Sequence, residues 1–243
     1  MNNIKLIIEY DGTHYAGWQQ QKKENTIQET LKNAVEKVVN EKIVLHGAGR
    51  TDAGVHAIGQ AANFKTKSSI PPSGLVHAIN YYLPNDIVVK SSRKVPDVFH
   101  SRYSAKSKVY RYTILNNTTA GAIDRNFCYY YNMNLNIEQM QNASKILIGE
   151  HDFSTFKSKS NIINNVRTIK KLEIKKKGKY LFITAEANGF LYKMVRSIVG
   201  TLLEVGKDKM TIKEFKKVFK SKDRSSAGAT VPAKGLCLLQ VKY

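Results

Sequence analysis

The sequence predicts a mixed α/β (α+β) fold assembled from two tandem split β-α-β units, and three observations carry that prediction. Apolar runs with strand and helix spacing follow one another in the order β-α-β-β-α-β through the first part of the chain. The second part takes up a similar order again. No long linker separates the two. The best boundary is the polar stretch Ser91–Ser107, which divides the chain into an N-terminal half, 1–104, and a C-terminal half, 105–243.

Each element has its own signal. Ile4–Tyr10 is an apolar run ended by Asp11-Gly12, a strand and its turn. Thr26 and Glu29 have capping-box spacing, and Ile27, Leu31, Ala34, Val35 and Val38 then recur at helical intervals. Ile43–Leu45 and Ile58–Phe64 read as short strands flanking a glycine-rich loop. Pro71-Pro72-Ser73 opens a helix that Leu83-Pro84-Asn85 stops, and Ile87–Val89 is a strand. In the second half, Val109–Leu115 is a strand with Tyr110, Tyr112 and Ile114 on one face. Asn136 caps a helix through Ile148. Val166–Ile174 and Tyr180–Ala187 form a hairpin across Lys176-Lys177-Gly178. Phe190–Leu203 carries a broad apolar helical stripe. Thr211–Phe219 is a helix with Ile212, Phe215, Val218 and Phe219 inward and its lysines largely opposite. Leu236–Val241 is the last strand.

Composition narrows the function. The 243 residues are 42% hydrophobic, which is a globular composition. Lys and Arg number 39 against 19 Asp and Glu, a formal charge of +20. That imbalance repels itself in a compact chain, so a polyanionic partner, nucleic acid, is the leading explanation. No apolar run reaches the roughly 18 residues of a membrane span. The N-terminal MNNIKLIIEYDGT lacks a signal-peptide layout. Cys128 and Cys237 lie in apolar, strand-like surroundings and are expected to be buried thiols of a cytoplasmic protein.

The chemistry points to GAGRTDAGVHA, residues 47–57, where one carboxylate, Asp52, stands two residues after Arg50. A dinucleotide loop would need glycine where Asp52 stands, and the Walker Gly-Lys-Ser/Thr is absent. His46, Asp52 and His56 are conceivable metal ligands, but glycines argue against a helix and no fuller cluster accompanies them, so no metal is expected. A plain turn tolerates the sequence equally well. The neighbouring arginine favours the remaining reading, a catalytic carboxylate acting as nucleophile or base. Residues 10–20, YDGTHYAGWQQ, form a second polar loop whose Tyr15 and Trp18 either cover the edge of the core or stack on nucleotides. Lys108-Val109-Tyr110-Arg111-Tyr112 alternates basic and aromatic residues on a strand.

Six blocks in order make the chain resemble the bacterial tRNA pseudouridine synthase A family. They are YDGTHYAGWQQQ at 10–21, GAGRTDAGVHA at 47–57, LPNDI at 83–87, FHSRYSAKSKVYRY at 99–112, GFLYKMVRSIVG at 189–200 and PAKGLCLLQV at 232–241. Two departures are Val231, where a small residue is usual, and the idiosyncratic KSKSNIINN at 157–165. The resemblance implies a cofactor-free homodimer that isomerises uridine to pseudouridine at positions 38, 39 and 40, in the anticodon arm of tRNA. It implies an extended, mainly antiparallel sheet flanked by helices, in two RRM- or ferredoxin-like halves with the active cleft between them. By matching motif positions, Asp52 is the catalytic aspartate and Arg196 its partner. Tyr110 stacks on the target base, Leu236 packs beside it, and Arg50 helps extrude the nucleotide. Spacing alone does not separate Tyr110 from Tyr112, or single out Arg196.

Two other classes compete. A non-catalytic RNA binder made of two RRM-like modules should show Lys/Arg-Gly-aromatic-Gly/Ala-aromatic. The nearest stretch, Asn188-Gly189-Phe190-Leu191-Tyr192, runs into helical periodicity instead. A metal-dependent nuclease needs clustered carboxylates, and none surround Asp52 in sequence.

Overall fold

The computed structural model describes residues 1–159 and 163–243, so three residues of the 157–165 run lie outside the described residues. The chain divides into two compact units, one of residues 1–106 with 237–243, the other of residues 107–236.

In the first unit, β1 (Asn2–Tyr10) pairs antiparallel with β3 (His56–Thr66) on one side and β4 (Ile87–Val95) on the other. β2 (His46–Gly47) adds to β3, and β10 (Leu236–Lys242) runs parallel to β3. Ile4, Leu6, Ile8 and Tyr10 alternate into the core. They are buried together with Ile27, Leu31 and Val35 of α1 (Ile27–Val39) and Leu75 and Ile79 of α2 (Pro72–Tyr82).

Three expectations need correcting here. Thr26 does sit at the N-cap of α1, but its side chain caps nothing, and Glu29 instead accepts from Gln20. The helix needs no capping box because main-chain carbonyls of the preceding loop do that work. Ile27 N–H donates to Gly17 O (3.1 Å) and Gln28 N–H to Trp18 O (3.0 Å). The strand expected at Ile43–Leu45 forms instead at His46–Gly47, where the pairing partners Asn63 and Ala62 of β3 stand. β4 continues through Val95, past the expected boundary at Ser91. Its polar residues are tolerated because only its β1 side is paired in this unit, an edge position suited to charge.

The opposite face of β1 holds Asn3 and Lys5, both buried. Asn3 donates to the carbonyls of Pro96 (3.0 Å) and Phe99 (2.9 Å). Lys5 is only 5% exposed, with its ammonium 3.6 Å from the centre of the Tyr243 ring and 5.4 Å from that of Phe99. Burial, assisted by the Arg93 charge, holds its pKa down at about 8. A folded pKa below the unfolded one of 10.5 means that the native state binds fewer protons between these values. Stability should therefore rise as pH climbs from about 8 to 10.5. Lys5→Met, melted across the same range, should lack that component of the rise. A parallel pH profile in the variant would show that Lys5 is not its source.

In the second unit, β5 (Ser107–Asn116), β9 (Tyr180–Ala187), β8 (Val166–Lys177) and β7 (Gly149–Asp152) pair antiparallel in that order. β6 (Tyr129–Tyr131) joins β5 in parallel. The β8–β9 hairpin turns through Gly178, whose φ of +56° suits a tight turn. Tyr110, Tyr112 and Ile114 are buried on one face, as their spacing predicts. Asn136 caps α3 (Ile137–Lys145) by accepting from Gln139 N–H.

The expected helix from Phe190 starts late: α4 spans Met194–Gly206, because Lys193 takes a left-handed backbone (φ +59°) and interrupts the stripe. α5 (Ile212–Ser221) buries Phe215 and Phe219 and leaves its lysines exposed, and Thr211 and Glu214 form a true capping box. Cys128 is buried, while Cys237 is only half-buried on β10, short of the expected core position. The mixed α/β class with mainly antiparallel sheet and flanking helices thus holds in both units.

Candidate active site

The loop that carries Asp52 is held by the other glycine-bearing loop of the first unit. Trp18 N–H donates to Thr51 O (3.0 Å), and the Tyr10 hydroxyl lies 2.8 Å from that of Thr51. Gly54 N–H reaches Tyr15 O (3.4 Å), and Gly12 N–H donates to His56 Nδ1 (3.1 Å). Val55 N–H closes the turn onto the main-chain carbonyl of Asp52 (3.1 Å), with Gly54 at φ +74°. The main chain on both sides of Asp52 is therefore fixed, and its side chain is half-buried.

The glycines serve this interlock. A Cβ on Gly17 would lie 2.5 Å from Thr51 O and 3.0 Å from Asp52 C. One on Gly47 would lie 2.5 Å from Cε2 of the Trp18 indole, and one on Gly12 would collide with the Val55 carbonyl. Trp18 and Tyr15 are buried, so they cover the core, the first of the two readings open to them. The Tyr15 hydroxyl donates to Asp86 (2.6 Å), which ties the LPNDI block to the same assembly.

Arg50 is exposed and donates from Nε to Gln19 Oε1 (3.1 Å). Gln19 donates in turn to Gln28 Oε1 (2.7 Å), and Gln28 donates to Leu45 O (2.9 Å). The glutamines after Trp18 thus orient the guanidinium through α1. His46 and His56 have other occupations. His46 packs its ring, tilted, against that of His100, and the Nδ1 of His56 accepts from Gly12 N–H while lying 3.1 Å from Asp11. Among the described residues, no three His, Cys, Asp or Glu side chains are grouped to hold a metal.

The second unit positions the other candidates around the strap of residues 227–235. Arg196, half-buried on α4, donates from Nε to Val231 O (2.8 Å), and Val231 N–H returns to Arg196 O (3.4 Å). Both bonds use the main chain of residue 231, so the valine there leaves them intact. The strap lies so close to α4 that a Cβ on Gly200 would overlap the Ala229 carbonyl. The Tyr112 hydroxyl donates to Pro232 O (2.8 Å), and Gly235 packs on the Tyr112 ring. Tyr110, on the same face of β5, meets Phe190 edge-on at 5.2 Å. Leu236 follows Gly235 directly and is buried. The strap therefore ties Arg196 and Tyr112 to one backbone segment and ends at Leu236.

Residues 6–104 and 143–243 match the tRNA pseudouridine synthase family. The chain is 50% identical to the tRNA pseudouridine synthase A of Thermoanaerobacter sp. (strain X514) over 244 aligned residues, all of both chains. It is 48% identical to that of Clostridium acetobutylicum and 47% to that of Acetivibrio thermocellus, again over the full length of each. The chain belongs to this family. Among solved structures, an H/ACA RNP bound to a substrate RNA containing 2′-deoxyuridine aligns at a TM-score of 0.41 and 12% identity. That alignment takes in 83% of this chain and 44% of the other.

The synthase thus places Arg50 and Asp52 on one pinned loop of its first unit, and Tyr110, Arg196 and Leu236 in its second. What the sequence did not assign in this synthase are the residues that pin the loop: Tyr10, Gly17, Trp18 and Thr51. A signal for them existed, since residues 10–20 combine two glycines, Gly12 and Gly17, with Tyr15 and Trp18 just ahead of a helix. Nothing in its spacing says which loop it clasps.

Proposed function

We propose that this tRNA pseudouridine synthase acts on the anticodon arm, at positions 38, 39 and 40, with Asp52 as its catalytic carboxylate. The observation that carries the reading is the pinned loop. It fixes the Asp52 backbone from both sides and keeps the side chain half-buried, an expensive arrangement for a mere turn. The reaction is an isomerisation: the bond from ribose C1′ to uracil N1 breaks, and a bond from C1′ to C5 forms. The C5 proton leaves and N1 gains one, so no redox partner is required. Attack of a carboxylate on C1′, attack on the base, or proton relay all need the target out of its stack. Arg50, exposed beside the loop, is suited to that extrusion. Arg196 is assigned to the Asp52 carboxylate, Tyr110 to stacking on the base and Leu236 to its flank. A cytoplasmic homodimer completes the reading.

The direct test is incubation with an unmodified tRNA transcript, followed by mapping of carbodiimide-resistant pseudouridine. Pseudouridine confined to 38–40 supports the assignment, and modification elsewhere in tRNA defeats it.

The two tyrosines of β5 should separate cleanly. Tyr112 has its hydroxyl on Pro232 O, and burial pushes its pKa up, so its role is structural. Tyr112→Phe should lower stability by about 1–2 kcal/mol and leave turnover within a few-fold. Tyr110→Phe keeps the stacking face and removes only the hydroxyl, which in this reading assists proton transfer, so turnover should fall while tRNA affinity stays near wild type. Measured kcat and melting curves for both would decide. Equal turnover losses would mean that the hydroxyl of Tyr110 has no special part.

A further inference from the structure

A second feature of the first unit has the chemistry of an RNA contact, and the inference drawn from it rests on the tRNA reading above. His46 of β2, His100 and Tyr103 form a continuous row of tilted rings in contact, with centroids 4.6 Å and 4.4 Å apart and planes inclined by 42° and 38°. The outermost ring, Tyr103, is 76% exposed, and the Arg102 guanidinium stands 5.5 Å from its centre. An exposed tyrosine by itself is ordinary. This one is held in place.

The 100–104 turn is closed in both directions: Ser104 N–H donates to His100 O (2.9 Å), and His100 N–H to Ser104 Oγ (3.1 Å). Arg102 N–H donates to His100 Nδ1 (3.1 Å), which leaves that nitrogen unprotonated. Burial, then the neighbouring His46 and Arg102, lower the pKa of His100, in keeping with a neutral ring between the other two. Beneath the turn lie buried polar groups. Asn63 accepts from Ser101 N–H (2.8 Å) and donates to Asn3 (3.0 Å), Asn3 holds Phe99 O, and the Tyr243 hydroxyl donates to Ser101 O (2.9 Å). Burying two asparagines is costly unless every bond is made, and here the bonds fix a turn that displays one ring and one cation.

We propose that Tyr103 and Arg102 form a stacking platform: an unpaired tRNA base lies on the Tyr103 face while Arg102 meets an adjoining phosphate. The chemistry fits. Every base has a π-face, loops supply unstacked bases, and a pre-ordered ring loses little entropy on binding. The inner end of the row, His46, directly precedes Gly47 and the Asp52 loop, so the platform belongs to the same part of the first unit.

The test is filter binding of an unmodified tRNA transcript across a salt series, using the full chain, with pseudouridine formation, melting and sedimentation run on the same preparations. Tyr103→Ala should weaken binding about five- to a hundredfold with the salt slope unchanged. Tyr103→Phe should bind as wild type, and Tyr103→Leu, which keeps bulk without a ring, should behave like the alanine variant. Arg102→Ala should lower the log–log salt slope by about 0.7–0.9, one phosphate contact. Wild-type affinity in Tyr103→Ala, or equal losses in the alanine and phenylalanine variants, would overturn the platform. So would a binding loss matched by a lower sedimenting mass, since the ring would then be a contact between copies. A wild-type protein that binds tRNA but forms no pseudouridine would defeat the enzymatic reading alone. Full turnover with unchanged Tyr103→Ala binding would defeat the platform alone.

Discussion

Asp52→Asn is expected to take pseudouridine formation below detection under single-turnover conditions, with the fold intact and tRNA affinity within a few-fold of wild type. Asparagine is nearly isosteric and can keep the turn, because Val55 N–H bonds to the main-chain carbonyl of residue 52 and not to its side chain. What it removes is the negative charge and nearly all nucleophilicity. A turn residue would tolerate the change at a cost within about 1 kcal/mol and keep its activity. Rapid-quench assays, filter binding and a melting curve separate the two. Appreciable residual turnover, or inactivity that tracks unfolding, would return Asp52 to a structural role.

The second large effect lies one loop away, at a residue that touches no substrate in this reading. Gly17 has φ +97°, and an added Cβ would lie 2.5 Å from Thr51 O, 3.0 Å from Asp52 C and 3.1 Å from Ala53 N. All three are backbone atoms, so nothing flexible can give way. Gly17→Ala must displace the Asp52 loop, and a shift of about 1 Å costs on the order of 100-fold in turnover. Backbone strain adds about 1–3 kcal/mol of destabilisation. The control is Gly178→Ala, also at positive φ but with open space around it. It should lose stability without losing turnover. Wild-type turnover in Gly17→Ala would show that the interlock does not position the aspartate.

Local signals were enough for most of the architecture. A short apolar run gave β1, alternation gave β5, a hairpin turn gave β9, and Asn136 marked the start of α3, because each of these signals depends on neighbours in sequence. Failures came where the deciding partner was distant. The Thr26–Glu29 pair has capping-box spacing, yet Gly17 O and Trp18 O take the first amides of α1. The polar half of β4 looks like a linker until β1 supplies its ladder. The apolar run from Phe190 looks helical throughout, but a left-handed Lys193 delays α4 by four residues.

By itself, the sequence determined that the chain is a basic α/β protein with one conspicuous carboxylate in a glycine loop, and its six blocks pointed to the family that full-length relatives establish. Those facts reside in residue identity and short spacing. Only the tertiary structure decided what the glycines are for. Gly12, Gly17 and Gly47 lie where a Cβ would meet the backbone or indole of the facing loop, a contact between residues some 30 to 40 positions apart. It also gave Tyr112, which spacing could not distinguish from Tyr110, its carbonyl partner, and set Tyr103 at the end of a row of tilted rings begun by His46 and His100. Such roles depend on which surfaces meet across the fold, and that is set by packing of the whole core, not by any local pattern.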